Sequence, residues 1–86
     1  TNNLIKENII SFNNQGITIQ GYSQFNVIKN NSINNCPGYG ISIQDSYNNS
    51  IYLNSFENNY IQAIEYGFSN DWDNGTIGNY WDDYIE

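Results

Sequence analysis

The sequence predicts an all-β chain wound into a single-stranded parallel β-helix, a solenoid of about three coils closed by a C-terminal aromatic cap. Three observations carry this expectation. Residues echo one another at a step of 23, apolar residues alternate in short bursts, and no apolar period of 3.6 is sustained over a dozen positions. A repeat of this length cannot bury its own apolar face and must stack on its neighbours.

The first unit begins Asn3-Leu4-Ile5-Lys6-Glu7-Asn8-Ile9-Ile10. It is answered by Asn26-Val27-Ile28-Lys29-Asn30-Asn31-Ser32-Ile33 and by Asn49-Ser50-Ile51-Tyr52-Leu53-Asn54-Ser55-Phe56. Each unit closes on an apolar pair two residues apart: Ile17 and Ile19, Ile41 and Ile43, Ile64 and Tyr66. Alternation such as Ile17-Thr18-Ile19 is the strand period of two, so three short strands per unit turn the chain through one coil. Asn disfavours helix interiors because its amide competes for backbone hydrogen bonds, and Asn and Gly mark the bends.

Stacked coils place equivalent residues about 4.8 Å apart in parallel register. The expected interior columns are Ile5/Ile28/Ile51, Ile10/Ile33/Phe56, Ile17/Ile41/Ile64 and Ile19/Ile43/Tyr66. A further column, Asn8/Asn31/Asn54, falls at the bend between the first two strands. Asn tolerates left-handed backbone angles there, and its amides can hydrogen-bond from coil to coil as a ladder. Phe12/Asn35/Asn58 form a partial second Asn column. In the second unit, Cys36-Pro37-Gly38-Tyr39-Gly40 fills a gap that Asn13-Asn14-Gln15-Gly16 crosses more briefly, so that connection should bulge. A leucine-rich solenoid uses similar repeat lengths, but it wants Leu at most ladder positions. Here only Leu4 and Leu53 occur, neither in an interior column.

After Tyr66 the repeat gives way to Phe68, Trp72, Ile77, Tyr80, Trp81 and Tyr84, with an Asn74-Gly75 turn signal. Large aromatics beside turn residues suit a lid over an open core. Residues 1–66 are thus expected to form three coils and residues 67–86 the cap, with Trp72, Tyr80 and Trp81 as its main body. No comparable lid precedes Asn3. The first coil should expose strand edges that pair with upstream coils or with another chain.

The pattern Asn-x-Ile-x-x-Asn-x-Ile followed by Gly-Ile-x-Ile, with the aromatic tail from Asn70 to Tyr84, resembles the right-handed parallel β-helix repeats of the NosD-like group. The resemblance covers nearly the whole chain. It implies a C-terminal fragment of an archaeal or bacterial surface protein, in a group often described with carbohydrate-binding proteins and sugar hydrolases. The group's name also carries an association with copper, for a periplasmic metal-related role. Copper sites favour His, Cys and Met, of which this chain offers only Cys36.

Charge narrows the function further. The 86 residues carry nine carboxylates against two lysines and no histidine, a net charge of −7. Nucleic-acid binding needs basic residues to neutralise phosphates, which excludes that class as an expectation. There is no membrane-spanning run. Lys6 and Lys29 share one column on a solvated face. Glycoside hydrolysis requires two carboxylates flanking one bond. Glu7, Asp45, Glu57 and Glu65 fall in no shared column, and Asp82 and Asp83 point opposite ways on an extended segment. The expectation is a module with no catalytic residues and no cofactor, its alternative a fragment of a polysaccharide hydrolase or lyase whose catalytic coils lie outside it. Asp71, Asp73 and Asn74 offer oxygen ligands to calcium, though the spacing suits a cap turn better. The single Cys36 forms no internal disulfide.

Carbohydrate contact is the specific activity that composition favours, because sugars stack on aromatic faces and hydrogen-bond to amides. Tyr22, Tyr47, Tyr52 and Tyr60 fall outside the interior columns and are the candidate ligand residues, with a polysaccharide or glycan as the partner. Acceptor patterns for N-glycosylation at Asn30, Asn48 and Asn74 agree with an extracellular or cell-surface location, the periplasm being the alternative. A structural or adhesive role uses the same surface.

Overall fold

The structure, a computed structural model, describes residues 1–82; Asp83 and Tyr84, named above in the cap, lie outside the described residues. Ten strands and no helix make up the described chain: β1 Leu4–Lys6, β2 Ile9–Ser11, β3 Ile17–Ile19, β4 Val27–Lys29, β5 Ser32–Asn34, β6 Tyr39–Tyr47, β7 Ser50–Tyr52, β8 Ser55–Glu57, β9 Ile61–Phe68 and β10 Tyr80–Trp81. They form three parallel sheets, ordered β1-β4-β7, β2-β5-β8-β10 and β3-β6-β9. From β1 to β9 every third strand lies in the same sheet, so the chain is a three-sided parallel β-solenoid of about three turns.

Register follows the 23-residue echo on the first two sheets. Ile5 pairs with Ile28 and Ile28 with Ile51, while Ile10 pairs with Ile33 and Ile33 with Phe56. The lower members of each column are fully buried, and Ile5 and Ile10 at the open end are only half-buried. Each fully buried Ile contributes roughly 1.5–3 kcal/mol. Cys36 is buried in the same core.

The third sheet departs from the expected columns. Ile17 pairs with Ile41 and Ile19 with Ile43, but below them stand Ala63 and Glu65, not Ile64 and Tyr66. Ile64 pairs with Ser42 and Tyr66 with Gln44, on the side of the strand opposite Ile41 and Ile43. The bulge at Cys36–Gly40 adds one residue to the second coil only, so Ile17 to Ile41 spans 24 residues and Ile41 to Ala63 spans 22. A one-residue slip turns every side chain to the other face. Space decides it: a Cβ on Gly40 would lie 2.5 Å from the Gln62 carbonyl oxygen and 3.2 Å from Phe56 Cδ1. The third coil closes tightly there, and small Ala63 takes the inward position.

The bends also sit one residue earlier than the Asn column suggests. Glu7, Asn30 and Leu53 are left-handed, with φ of 58°, 57° and 57°, and Asn8, Asn31 and Asn54 follow them. The Phe12/Asn35/Asn58 column is left-handed as well, at 60°, 55° and 57°, and Asn2/Phe25/Asn48/Ser69 form the bend that carries the chain between the third and first sheets. A left-handed residue turns peptide groups out of the sheet ladder, and the following Asn amide recovers them. Asn31 Oδ1 accepts from the Asn8 backbone N–H and from Asn8 Nδ2, at 3.1 and 3.0 Å. Asn31 Nδ2 donates to the Asn54 Oδ1 below and to the Ile5 and Lys29 carbonyls. The same pattern links Asn3, Asn26 and Asn49. Among the described residues no buried side-chain nitrogen or oxygen lacks a partner, which is what allows polar columns inside a small core.

Both Asn columns run on into the cap. Asn79 Oδ1 accepts from the Asn54 backbone N–H and Nδ2, and Asn70 Oδ1 does the same for Asn49. Asp71 bridges to Ser50, and β10 pairs with β8 so that Trp81 lies under Phe56. The segment from Asn70 to Asp82 is therefore a shortened fourth coil with a loop at Trp72–Gly78. Trp72, one residue past the Asp71 bridge, follows the Ile5/Ile28/Ile51 column, and Trp81 follows the Ile10/Ile33/Phe56 column. Both are half-buried against the core, with ring centroids 6.0 Å apart.

Candidate functional site: an aromatic flank

The columns consume the buried Ile and Asn residues, which leaves the outer flanks for function. The four candidate tyrosines are distributed over all three corners of the coil. Tyr52 stands half-buried at the end of β7, under Lys29. Tyr60 is exposed beside the second corner, its backbone N–H donating to the Cys36 carbonyl. Tyr22 and Tyr47 share the third corner, where the Tyr47 N–H donates to the carbonyl of Ser23 and the Tyr22 N–H to that of Asp45.

At this third corner an aromatic surface forms. Tyr47 pairs with Phe68, and their rings stack with centroids 5.0 Å apart and planes 8° from parallel. Phe68 is 63 % exposed and Tyr66 is 66 % exposed. They are two residues apart on β9 and so project from the same side. The slip that removes Tyr66 from the core therefore delivers it to this flank. Gln44 lies over Tyr66 and Gln24 bridges to Tyr47, which sets side-chain amides beside the rings. Tyr22 and Phe25, both exposed, sit in the coil above. Tyr66, expected in an interior column, lies on this flank because the third coil lacks the extra residue of the second, and Phe68, expected in the cap, is the last residue of β9. The usable signal was the alternation Ile64, Tyr66, Phe68 down one side of a strand.

The acids near the cap are occupied in holding it. Glu65 Oε1 accepts from Trp72 Nε1 at 2.7 Å, and Asp82 accepts from the Asn58 backbone N–H at 2.7 Å and from Gln62 Nε2. The calcium candidates are not gathered. Asp71 lies in the coil, Asp73 Oδ1 accepts from the Gly75 N–H, and Asn74 Oδ1 accepts from the Thr76 and Ile77 N–H groups. Among the described residues no group of three His, Cys, Asp or Glu side chains could hold a metal ion.

A family model described as periplasmic copper-binding protein (NosD) matches residues 1–85. Neither a curated protein nor a solved structure matches the chain. The residues of this chain do not fit copper: it has no His and no Met, and its one thiol, Cys36, is buried with Sγ 3.6 Å from the Asn34 carbonyl oxygen. The match runs along nearly the full length, and the parallel coils supply the fold that goes with it: the chain belongs to the NosD family.

Proposed function

We propose that the chain is a non-catalytic β-helix module working outside the cytoplasm, which binds carbohydrate along the flank of Tyr47, Tyr66 and Phe68. The periplasmic description of the family supports the location. The observation that carries the binding reading is the half-buried Tyr47 ring stacked on the exposed ring of Phe68, with Gln24 and Gln44 as register neighbours of Tyr47 and Tyr66. Flat apolar faces next to amide donors and acceptors match the alternating C–H faces and hydroxyl edges of a sugar ring. The asparagine columns act in this reading as a ladder that keeps the corner rigid, so that the rings are held ready before a ligand arrives. Polysaccharide-affinity electrophoresis over neutral and acidic glycans tests the proposal. Retardation of the native chain and its loss in Phe68→Ala are expected, and an unretarded native chain on every glycan sinks it.

A further inference from the structure

The turn in the Trp72–Gly78 loop brings together the parts of a ring closure. Asn74-Gly75 is the one Asn-Gly step in the sequence, and both residues are exposed. Gly75 has φ of 93°, and a Cβ placed on it would meet nothing within 4 Å, so its peptide nitrogen is open to approach. That N–H donates to Asp73 Oδ1 at 3.0 Å, which sets a carboxylate base on the nitrogen next to the Asn74 side chain. Asn74 Oδ1 accepts from the N–H groups of Thr76 and Ile77, at 2.9 and 2.8 Å. Two donors on one amide oxygen draw charge from Cγ and meet the charge that grows on that oxygen when Cγ is attacked.

The ladder asparagines are held in the opposite way. The nitrogen that follows each of Asn26, Asn31, Asn49 and Asn54 donates to a backbone carbonyl of the coil before it. Their Nδ2 groups are spent on the Oδ1 atoms of Asn49, Asn54, Asn70 and Asn79. Both the attacking nitrogen and the leaving group are tied there.

We propose that Asn74 is a site of self-modification, in which the Gly75 nitrogen attacks Asn74 Cγ with Asp73 as the base. The N–Cγ bond forms as the Cγ–Nδ2 bond breaks. The Gly75 proton passes through the Asp73 carboxylate to Nδ2, and ammonia departs from a five-membered succinimide. Water then opens the ring at either carbonyl, which leaves aspartate or isoaspartate at position 74. The aspartate keeps an acceptor for the Thr76 and Ile77 N–H groups. The isoaspartate adds a methylene to the backbone, between the Asn74 N–H that donates to the Ile77 carbonyl and the Gly78 carbonyl that accepts from the Leu53 N–H. The reaction therefore acts on the attachment of the cap loop to the third coil, independently of what the aromatic flank binds.

Peptide mapping by mass spectrometry during incubation at neutral pH tests the proposal, on the native chain and on the chain unfolded in urea. The mass change of ammonia lost and water gained should build up at Asn74 about tenfold faster in the native chain, with Asn31 and Asn54 unmodified there. Asp73→Asn keeps an oxygen acceptor for the Gly75 N–H but removes the base, and should slow the native reaction to about the unfolded rate. A native rate at or below the unfolded one overturns the proposal. So does an Asp73→Asn chain that reacts as fast as the native one.

Discussion

The indole of Trp81 lies flat on the ring of Phe56, with centroids 4.5 Å apart and planes 10° from parallel. Phe56 is fully buried, so this contact is where the Ile10/Ile33/Phe56 column ends and the cap begins. Trp81 arrives there because β10 continues the second sheet in register. Its removal would open the column to water. Trp81→Ala is expected to cost about 3 kcal/mol in urea unfolding, while Tyr80→Ala, on the exposed side of the same strand, costs less than about 1. Equal losses would mean that the cap does not close the core through Trp81.

Asn31 and Asn8 occupy one column but different surroundings. Asn31 is buried and bonded to the coils on both sides, whereas Asn8 is exposed and bonded only within its own coil and to the one below. Replacing Asn31 by Ala takes the acceptor from the Asn8 backbone N–H, the Asn31 Nδ2 donor from the Ile5 and Lys29 carbonyls, and one of its two donors from Asn54 Oδ1, which keeps only the residue 31 backbone N–H. That change is expected to lower stability by about 2–4 kcal/mol, against about 1 for Asn8→Ala. Paired denaturation curves decide it, and similar losses at the two sites would deny the column a stabilising role.

Leu53 holds a left-handed conformation that its side chain does not favour, with φ of 57°. Its column-mate Asn30 holds the same angle with a residue suited to it. Leu53→Asn is therefore expected to raise the thermal midpoint, by about 0.5–1 kcal/mol of added stability. A loss of stability would place the packing of Leu53 above its backbone strain.

The sequence made the first two sheets legible because interior positions tolerate little besides Ile, Val or Phe, and because an Asn follows each of their shared bends. The bends themselves were harder to place. Their left-handed residues, Glu7, Asn30 and Leu53, have side chains turned toward solvent and share no residue type, whereas the Asn after each one does the bonding. The fourth coil was hidden by its steps, 25 residues from Asn54 to Asn79 and 21 from Asn49 to Asn70. The flank was least legible: the extra residue at Cys36–Gly40 belongs to the second coil alone, so the sequence columns place Tyr66 under Ile43, where Glu65 stands. The tyrosines named from sequence lie on three different corners, because exposure alone says nothing of which exposed residues share a face.

The most direct test of carbohydrate binding at the Tyr47–Phe68 corner is an NMR titration of the chain with a glycan that retards it. Amide shifts are expected to change at Gln44, Tyr47, Tyr66 and Phe68, and Phe68→Ala is expected to weaken binding by about tenfold, or about 1.4 kcal/mol. Tyr52 and Tyr60 should stay unperturbed. Shifts centred on Tyr52, Tyr60 or the Trp72–Trp81 cap, with the Tyr47–Phe68 corner silent, would contradict it.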